Sequence, residues 1–138
     1  MWGSGYGYVS TGIEVPMVEG RVRMILLVDN TFSTSLAPQL TQTVNDLEAD
    51  GWSVMRYDVS RTAPVTTIKN IVVTAYNSAP ASVKALFIIG HVPVPYSGNL
   101  APDGHPDHYG AWPSDAYYAD VNGVWTDNSV NSTGQQQI

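Results

Sequence analysis

Two stretches of this sequence concentrate side chains able to do chemistry. In Asp103-Gly-His105-Pro-Asp107-His108-Tyr109, two imidazoles and two carboxylates crowd together, a donor set suited to zinc or another transition ion. The spacing matches no familiar metal motif, and the prolines splay neighbouring side chains apart. The second stretch runs Asp115 … Asp120-Val-Asn122-Gly123 … Asp127. Oxygen ligands around a glycine turn suit calcium at Asp120, Asn122 and Asp127, although the EF-hand spacing is absent. The same residues also read as a hairpin turn with solvated aspartates. Cysteine is absent altogether, which removes disulfides, thiolate metal sites and any thiol nucleophile within the chain. No glycine-rich phosphate loop precedes a helix, and no serine-hydrolase elbow occurs.

The elements that must position these residues follow from hydrophobic pattern. Arg23-Met-Ile-Leu-Leu-Val28 is a continuous apolar run, as expected of a strand buried on both faces. After it, Ser33 or Ser35 is placed to cap a helix with Pro38 in its first turn. Leu36, Leu40, Val44 and Leu47 make one apolar stripe, and Asp50-Gly51 stops that helix. Trp52 to Val59 alternates and is rich in strand formers, so it predicts the second strand. Thr62 and Pro64 open a second helix with Val65, Ile68, Val72 and Ala75 inward, closed by Ser78-Ala-Pro80. Val83 to Ile89 is the third apolar run, ending at Gly90-His91. This order predicts βαβ units: a three-layer αβα fold with a mainly parallel sheet of flavodoxin-like or caspase-like topology, incomplete in extent.

In an open parallel sheet, ligands bind beyond the carboxyl ends of the strands. Asp29, Asp58 and His91 occupy those ends, and His91 is a candidate substrate-binding residue because Gly90 lets the backbone turn tightly. Asp29 and Asp58 also read as strand-end turn formers, and His91 as a ring satisfied by backbone hydrogen bonds. Beyond His91, prolines 93, 95, 102, 106 and 113 alternate with glycines 98, 104 and 110. Such a segment is not helical, and a long ordered loop in a compact domain is usually functional. Tyr117-Tyr-Ala-Asp-Val121, then Asn122-Gly123, then Val124-Trp125 predicts a C-terminal β-hairpin. One short strand is expected near residues 13–15. The domain is therefore bounded at residues 21–127, with residues 1–20 as an extension and 128–138 as a polar tail without periodicity.

Composition narrows the function classes. The chain has 138 residues, 43% of them hydrophobic, and a net charge of −6, which suits one folded domain and argues against nucleic acid as partner. No apolar run reaches the roughly 18 residues of a membrane span. The N-terminus shows no signal-peptide pattern, yet the sparse charge and the abundance of Tyr, Ser, Thr, Asn and Gly are common on exported proteins. A secreted or cell-surface parent protein is the expectation, and both ends read as those of a piece of a longer chain.

Leu86-Phe-Ile-Ile-Gly-His-Val-Pro-Val-Pro95, with Asp107-His-Tyr-Gly110 and Ser114-Asp-Ala-Tyr-Tyr-Ala-Asp120, resembles the gingipain-like cysteine peptidases, which have a caspase-like α/β fold. The resemblance covers most of residues 23–127. It implies that Asp107 stands where the family places an acidic residue beside the catalytic histidine, the kind of carboxylate that orients an imidazole. It places Asp115 near the substrate pocket or a calcium site, without deciding between them. The family's catalytic histidine and cysteine come later, after further strands, and neither is present here. The expectation is an N-terminal portion of such a peptidase domain, inert alone, acting on a polypeptide substrate only when completed. Calcium is the one cofactor the loop suits. Two rivals stand beside it. One is a non-catalytic module gripping a peptide or sugar with Tyr96, Tyr109, Trp112, Tyr117, Tyr118 and Trp125. The other is a small metalloprotein using His105 and His108.

Overall fold

A computed structural model describes residues 21–125 and the backbone of Gln136–Gln137; the strand expected near residues 13–15 and Asp127 lie outside the described residues. Three strands, β1 (Arg23–Asp29), β2 (Ser53–Val59) and β3 (Val83–Ile89), form a parallel sheet in the order β2-β1-β3. The helix α1 (Ala37–Ala49) joins β1 to β2, and α2 (Val65–Ser78) joins β2 to β3. The chain therefore leaves β1 to build one side of the sheet, then crosses back to build the other.

The central strand explains the layering. Side chains alternate across a strand, so Ile25 and Leu27 enter a cluster with Ile68, Val72 and Ala75 of α2. Leu26 and Val28 point the other way, against Leu40 and Val44 of α1. With both faces covered, the whole of Met24–Val28 is buried, with Leu26, Leu27 and Val28 at 0% exposure. The continuous apolar run is thus required by an αβα sandwich. Among the described residues no helix is long and apolar enough to cross a membrane.

The helix ends differ in how well local chemistry foretells them. At the end of α1, Gly51 takes φ +96°, its N–H bonds the Glu48 carbonyl and the Trp52 N–H bonds that of Leu47. That is the two-bond Schellman closure that glycine favours. At the start, neither Ser33 nor Ser35 caps α1. Leu36 stands at the N-cap without a side-chain bond, and the Ser33 hydroxyl instead donates to Asp58 across to β2, at 2.6 Å. Pro64 likewise begins α2 with no side-chain cap, and the Thr62 hydroxyl pairs with Ser60.

The expected C-terminal hairpin is replaced by a short helix. Residues Ala116–Ala119 form α3, with Tyr117 and Tyr118 buried, and Val124 on the far side of the Asn122-Gly123 turn is 88% exposed with no partner strand among the described residues. The Asn122-Gly123 turn dipeptide was a poor guide here because consecutive tyrosines before it both find the core: Tyr117 edges onto Trp125 with centroids 5.7 Å apart, and the Tyr118 hydroxyl donates to the Pro93 carbonyl at 2.6 Å. Two short strands, β4 (Pro95–Tyr96) and β5 (Gln136–Gln137), pair in parallel, so part of the polar tail has regular backbone pairing.

Lys69 holds α3 in place. It sits on α2, 9% exposed, and its ammonium donates to the carbonyls of Tyr117 and Asp120, which a helix end leaves without intrahelical partners. The Tyr117 ring lies 5.0 Å from the ammonium. Burial lowers the Lys69 pKa, with nearby Asp120 acting in the opposite direction. Replacing Lys69 by Met keeps the apolar stem and strands two carbonyls. We expect Lys69→Met to cost about 1–3 kcal/mol in chemical denaturation, with a shift in the emission of Trp125, which packs on Tyr117.

Candidate functional site

The strand register sets the geometry. Val28 pairs with Asp58 on one side and Ile89 on the other, so all three carboxyl ends finish level. Because the chain reverses direction between β1 and β3, the gap beyond their ends is the topological switch point of the sheet, where open α/β folds place ligands.

Asp29 closes that end. It is fully buried, and its two oxygens accept four hydrogen bonds. Oδ1 takes the Thr31 amide at 3.0 Å and the Thr31 hydroxyl at 2.8 Å. Oδ2 takes Nη2 of Arg61 at 2.6 Å and the His91 amide at 3.2 Å. Arg61 comes from the loop after β2 and His91 from the exit of β3, so one carboxylate joins all three strand ends. Burial by itself pushes the carboxyl pKa up; the Arg61 guanidinium, the Thr31 amide and hydroxyl and the His91 amide outweigh it and hold Asp29 well below the usual carboxylate range. A carboxylate has about four lone-pair sites, and all are engaged. Asp29 is a strut and has no free lone pair with which to take a substrate proton.

Gly90 makes the strut fit. Its φ is +83°, and a Cβ there would lie 2.8 Å from Asp29 Cβ and 2.9 Å from the Phe32 ring. The Arg61 guanidinium lies 5.8 Å from the centre of that same ring. Asp58, at the end of β2, is a second strut: it is held by Arg56 through Nε at 2.7 Å and Nη2 at 3.0 Å, besides Ser33. The Arg56 bonds, opposed by partial burial and assisted by Ser33, lower its pKa. Asp29 matches the strand-end turn reading through its bonds to Thr31, whereas Asp58 is tied instead to Arg56 on its own strand and to Ser33.

The His91 ring is exposed while its amide is tied to Asp29, which leaves the imidazole facing solvent at the switch point. The chain then folds back on itself. Ser97 and Trp112 exchange bonds, N–H to carbonyl at 2.8 Å and N–H to hydroxyl at 3.0 Å. Leu100 and Gly110 exchange two amide bonds of 3.0 Å each, and the Ser114 amide donates to the Pro95 carbonyl. The proline-rich segment is thus a ladder of isolated rungs with an exposed tip at residues 102–109.

That tip brings Asp103, His105 and His108 together. Asp103 Oδ2 lies 3.0 Å from His105 Nδ1 and 2.5 Å from His108 Nδ1. Hydrogen bonds from His105 and then His108 hold the exposed Asp103 carboxyl below its ordinary pKa. Asp107 belongs to the same turn but points outward, its side chain 83% exposed and 3.9 Å from His108 Nε2. Asp115 stands exposed at the start of α3 without capping it. Asp120 turns its carboxylate back to accept the Gly123 amide at 2.9 Å, Asn122 is exposed, and Asp127 lies outside the described residues. Of the aromatic set, Tyr117 and Tyr118 are core, whereas Tyr109 and Trp112 are 65% and 43% exposed. Sequence reasoning missed Arg61 and Lys69, because their partners lie 32 and about 50 positions away; the only local signal is that basic residues are few.

Two substitutions test the strut. Asp29→Asn retains an acceptor for Thr31 but turns an NH2 group toward donors, so we expect a loss of about 2–3 kcal/mol in denaturant unfolding. The folded carboxyl titrates below its unfolded value of about 3.9. Its stabilisation is therefore complete above that pH and is lost as pH falls toward the folded value. The gap between wild type and Asp29→Asn should narrow below about pH 4. Gly90→Ala combines a positive φ with a clash and should cost about 2 kcal/mol or more by the same measurement. No family model matches this chain, and neither a curated protein nor a solved structure is detectably similar to it.

Proposed function

We propose that this chain is the N-terminal portion of a gingipain-like cysteine peptidase domain, supplying the sheet core and part of the pocket wall to a site whose histidine and cysteine lie on later elements. The observation that carries this reading is the open side of the sheet. Among the described residues β3 has a partner only on its β1 side, its Phe87 is 42% exposed, and an apolar groove of about 130 Å³ runs between β3, α2 and α3, lined by Ile25, Val72, Tyr76, Leu86 and Val121. A further strand added beside β3 would extend the sheet, cover this edge and bring its own carboxyl end next to His91. A completed site would work by thiolate attack on a peptide carbonyl, with a histidine moving the proton. In that arrangement Asp107 is the supporting carboxylate and His91 and Asp115 flank the substrate.

Exposed Tyr109 and Trp112 support the second reading, a peptide- or sugar-binding module; ligand-dependent quenching of tryptophan emission in a chain without peptidase sequence downstream would favour it. For the peptidase reading, the untagged chain should release no fluorophore from a mixed fluorogenic peptide set. Thiol-blocking reagents should find nothing to modify. The coding sequence past residue 138 should supply a strand, a His-Gly pair and a later cysteine. Thiol-independent turnover by the chain, or a stop codon with none of those features after it, contradicts the proposal.

A further inference from the structure

The tip of the β3–α3 connection gathers two imidazoles and a carboxylate by a specific piece of local geometry. Gly104 takes φ +80°, which turns the chain tightly after Asp103, and the His105 amide donates to Asp103 Oδ1 at 3.1 Å. Pro106 then starts a 3₁₀ turn, Pro106–His108, with His105 at its N-cap. In that conformation residues three apart eclipse one another, so His105 and His108 come over the same face, their rings edge to face with centroids 5.6 Å apart. The rung at Leu100 and Gly110 closes the base of the tip, and Trp112 Nε1 donates to the carbonyls of Leu100 and His108. The three side chains are thus held on an ordered turn.

We propose that Asp103, His105 and His108 form a binding site for a divalent transition-metal ion of the zinc class, with both histidines ligating through Nδ1. Their ligand atoms lie within 4.8 Å of one another. A tetrahedral zinc ion with bonds of about 2.0–2.1 Å sets its ligands roughly 3.4 Å apart, and small rotations of three exposed side chains close that difference. Two nitrogen donors select zinc, copper or nickel over calcium and magnesium, which take oxygen. Three protein ligands leave a fourth position open to water or to a group on another molecule. Asp107 has a place in this arrangement: its carboxylate lies 3.9 Å from His108 Nε2, on the side of the ring away from the ion, where an outer carboxylate orients a ligating histidine. The site is separate from the acidic loop at Asp120 and Asn122; it shares Asp107 with the proposed peptidase site, but its three ligands play no part in that reading.

Calorimetric titration of the untagged, metal-stripped chain with zinc sulfate tests it, with calcium chloride as the comparison. One zinc ion per chain is expected, with no comparable calcium binding. His105→Ala, His108→Ala and Asp103→Asn should each weaken zinc at least about tenfold, and Asp107→Asn by about tenfold. His91→Ala, at the third histidine, should leave it unchanged. All five positions are exposed, and an unchanged melting temperature in the absence of metal confirms folding. Absence of saturable binding at millimolar zinc overturns the proposal. So does binding that survives the His105 and His108 substitutions, or that falls equally in His91→Ala.

Discussion

A carboxylate removed from water loses hydration worth several kcal/mol, and Asp29 is removed from it completely. What makes that position tenable is the set of donors brought to it by three separate parts of the chain: Thr31 after β1, Arg61 after β2 and the backbone of His91 after β3. The dependence runs both ways. The carboxylate needs all three loops in place, and the loops converge because the carboxylate is there. Gly90 follows from it, since only a residue without Cβ lets the exit of β3 pass so close to Asp29 and Phe32. The register levels the strand ends, and this one buried group ties the loops that leave them together.

A saturated carboxylate is poor chemistry and good scaffolding. The switch-point end of the sheet therefore divides its labour: the buried side holds the strand ends, and the exposed side presents His91 and the long connection that follows. That connection has little regular structure of its own. It is ordered by tertiary hydrogen bonds, with Tyr118 reaching the Pro93 carbonyl, Ser97 and Trp112 bonded to each other, and Lys69 gripping the end of α3. Prolines lower the entropy lost when such a segment is ordered. The result is a loop stiff enough to hold Asp103, His105 and His108 at bonding distance while leaving them in solvent.

The sandwich was legible in the sequence to within a residue or two, because burial on both faces of β1 demands an unbroken apolar run and burial of one face of α2 demands Val65, Ile68, Val72 and Ala75. The Gly51 stop was legible for a local reason, a backbone conformation that glycine adopts freely. The N-caps were not: Ser33 is a good cap by type, yet the Asp58 carboxylate on β2, itself paired with Arg56, offers its hydroxyl a stronger, charge-assisted acceptor. The Tyr117-Tyr118 segment was misread as a strand because Lys69, the residue that decides its fate, sits on another element in a position that looks like a solvated helix face. For the site, the Asp103–His108 cluster was visible as composition, but its convergence depends on a 3₁₀ turn that the spacing did not announce. Asp29 was visible only as a strand-end aspartate, since Arg61 meets it through tertiary structure alone.

The Asp29 carboxylate ties the exit of β3 to the end of β1, and amide hydrogen exchange reads that tie directly. In the native protein the His91 and Thr31 amides should exchange only as slowly as the β1 amides of Leu26 and Leu27, through global unfolding. If the His91 amide instead exchanges at the rate of an open loop while β1 remains protected, the bond to Asp29 does not organise the strand ends.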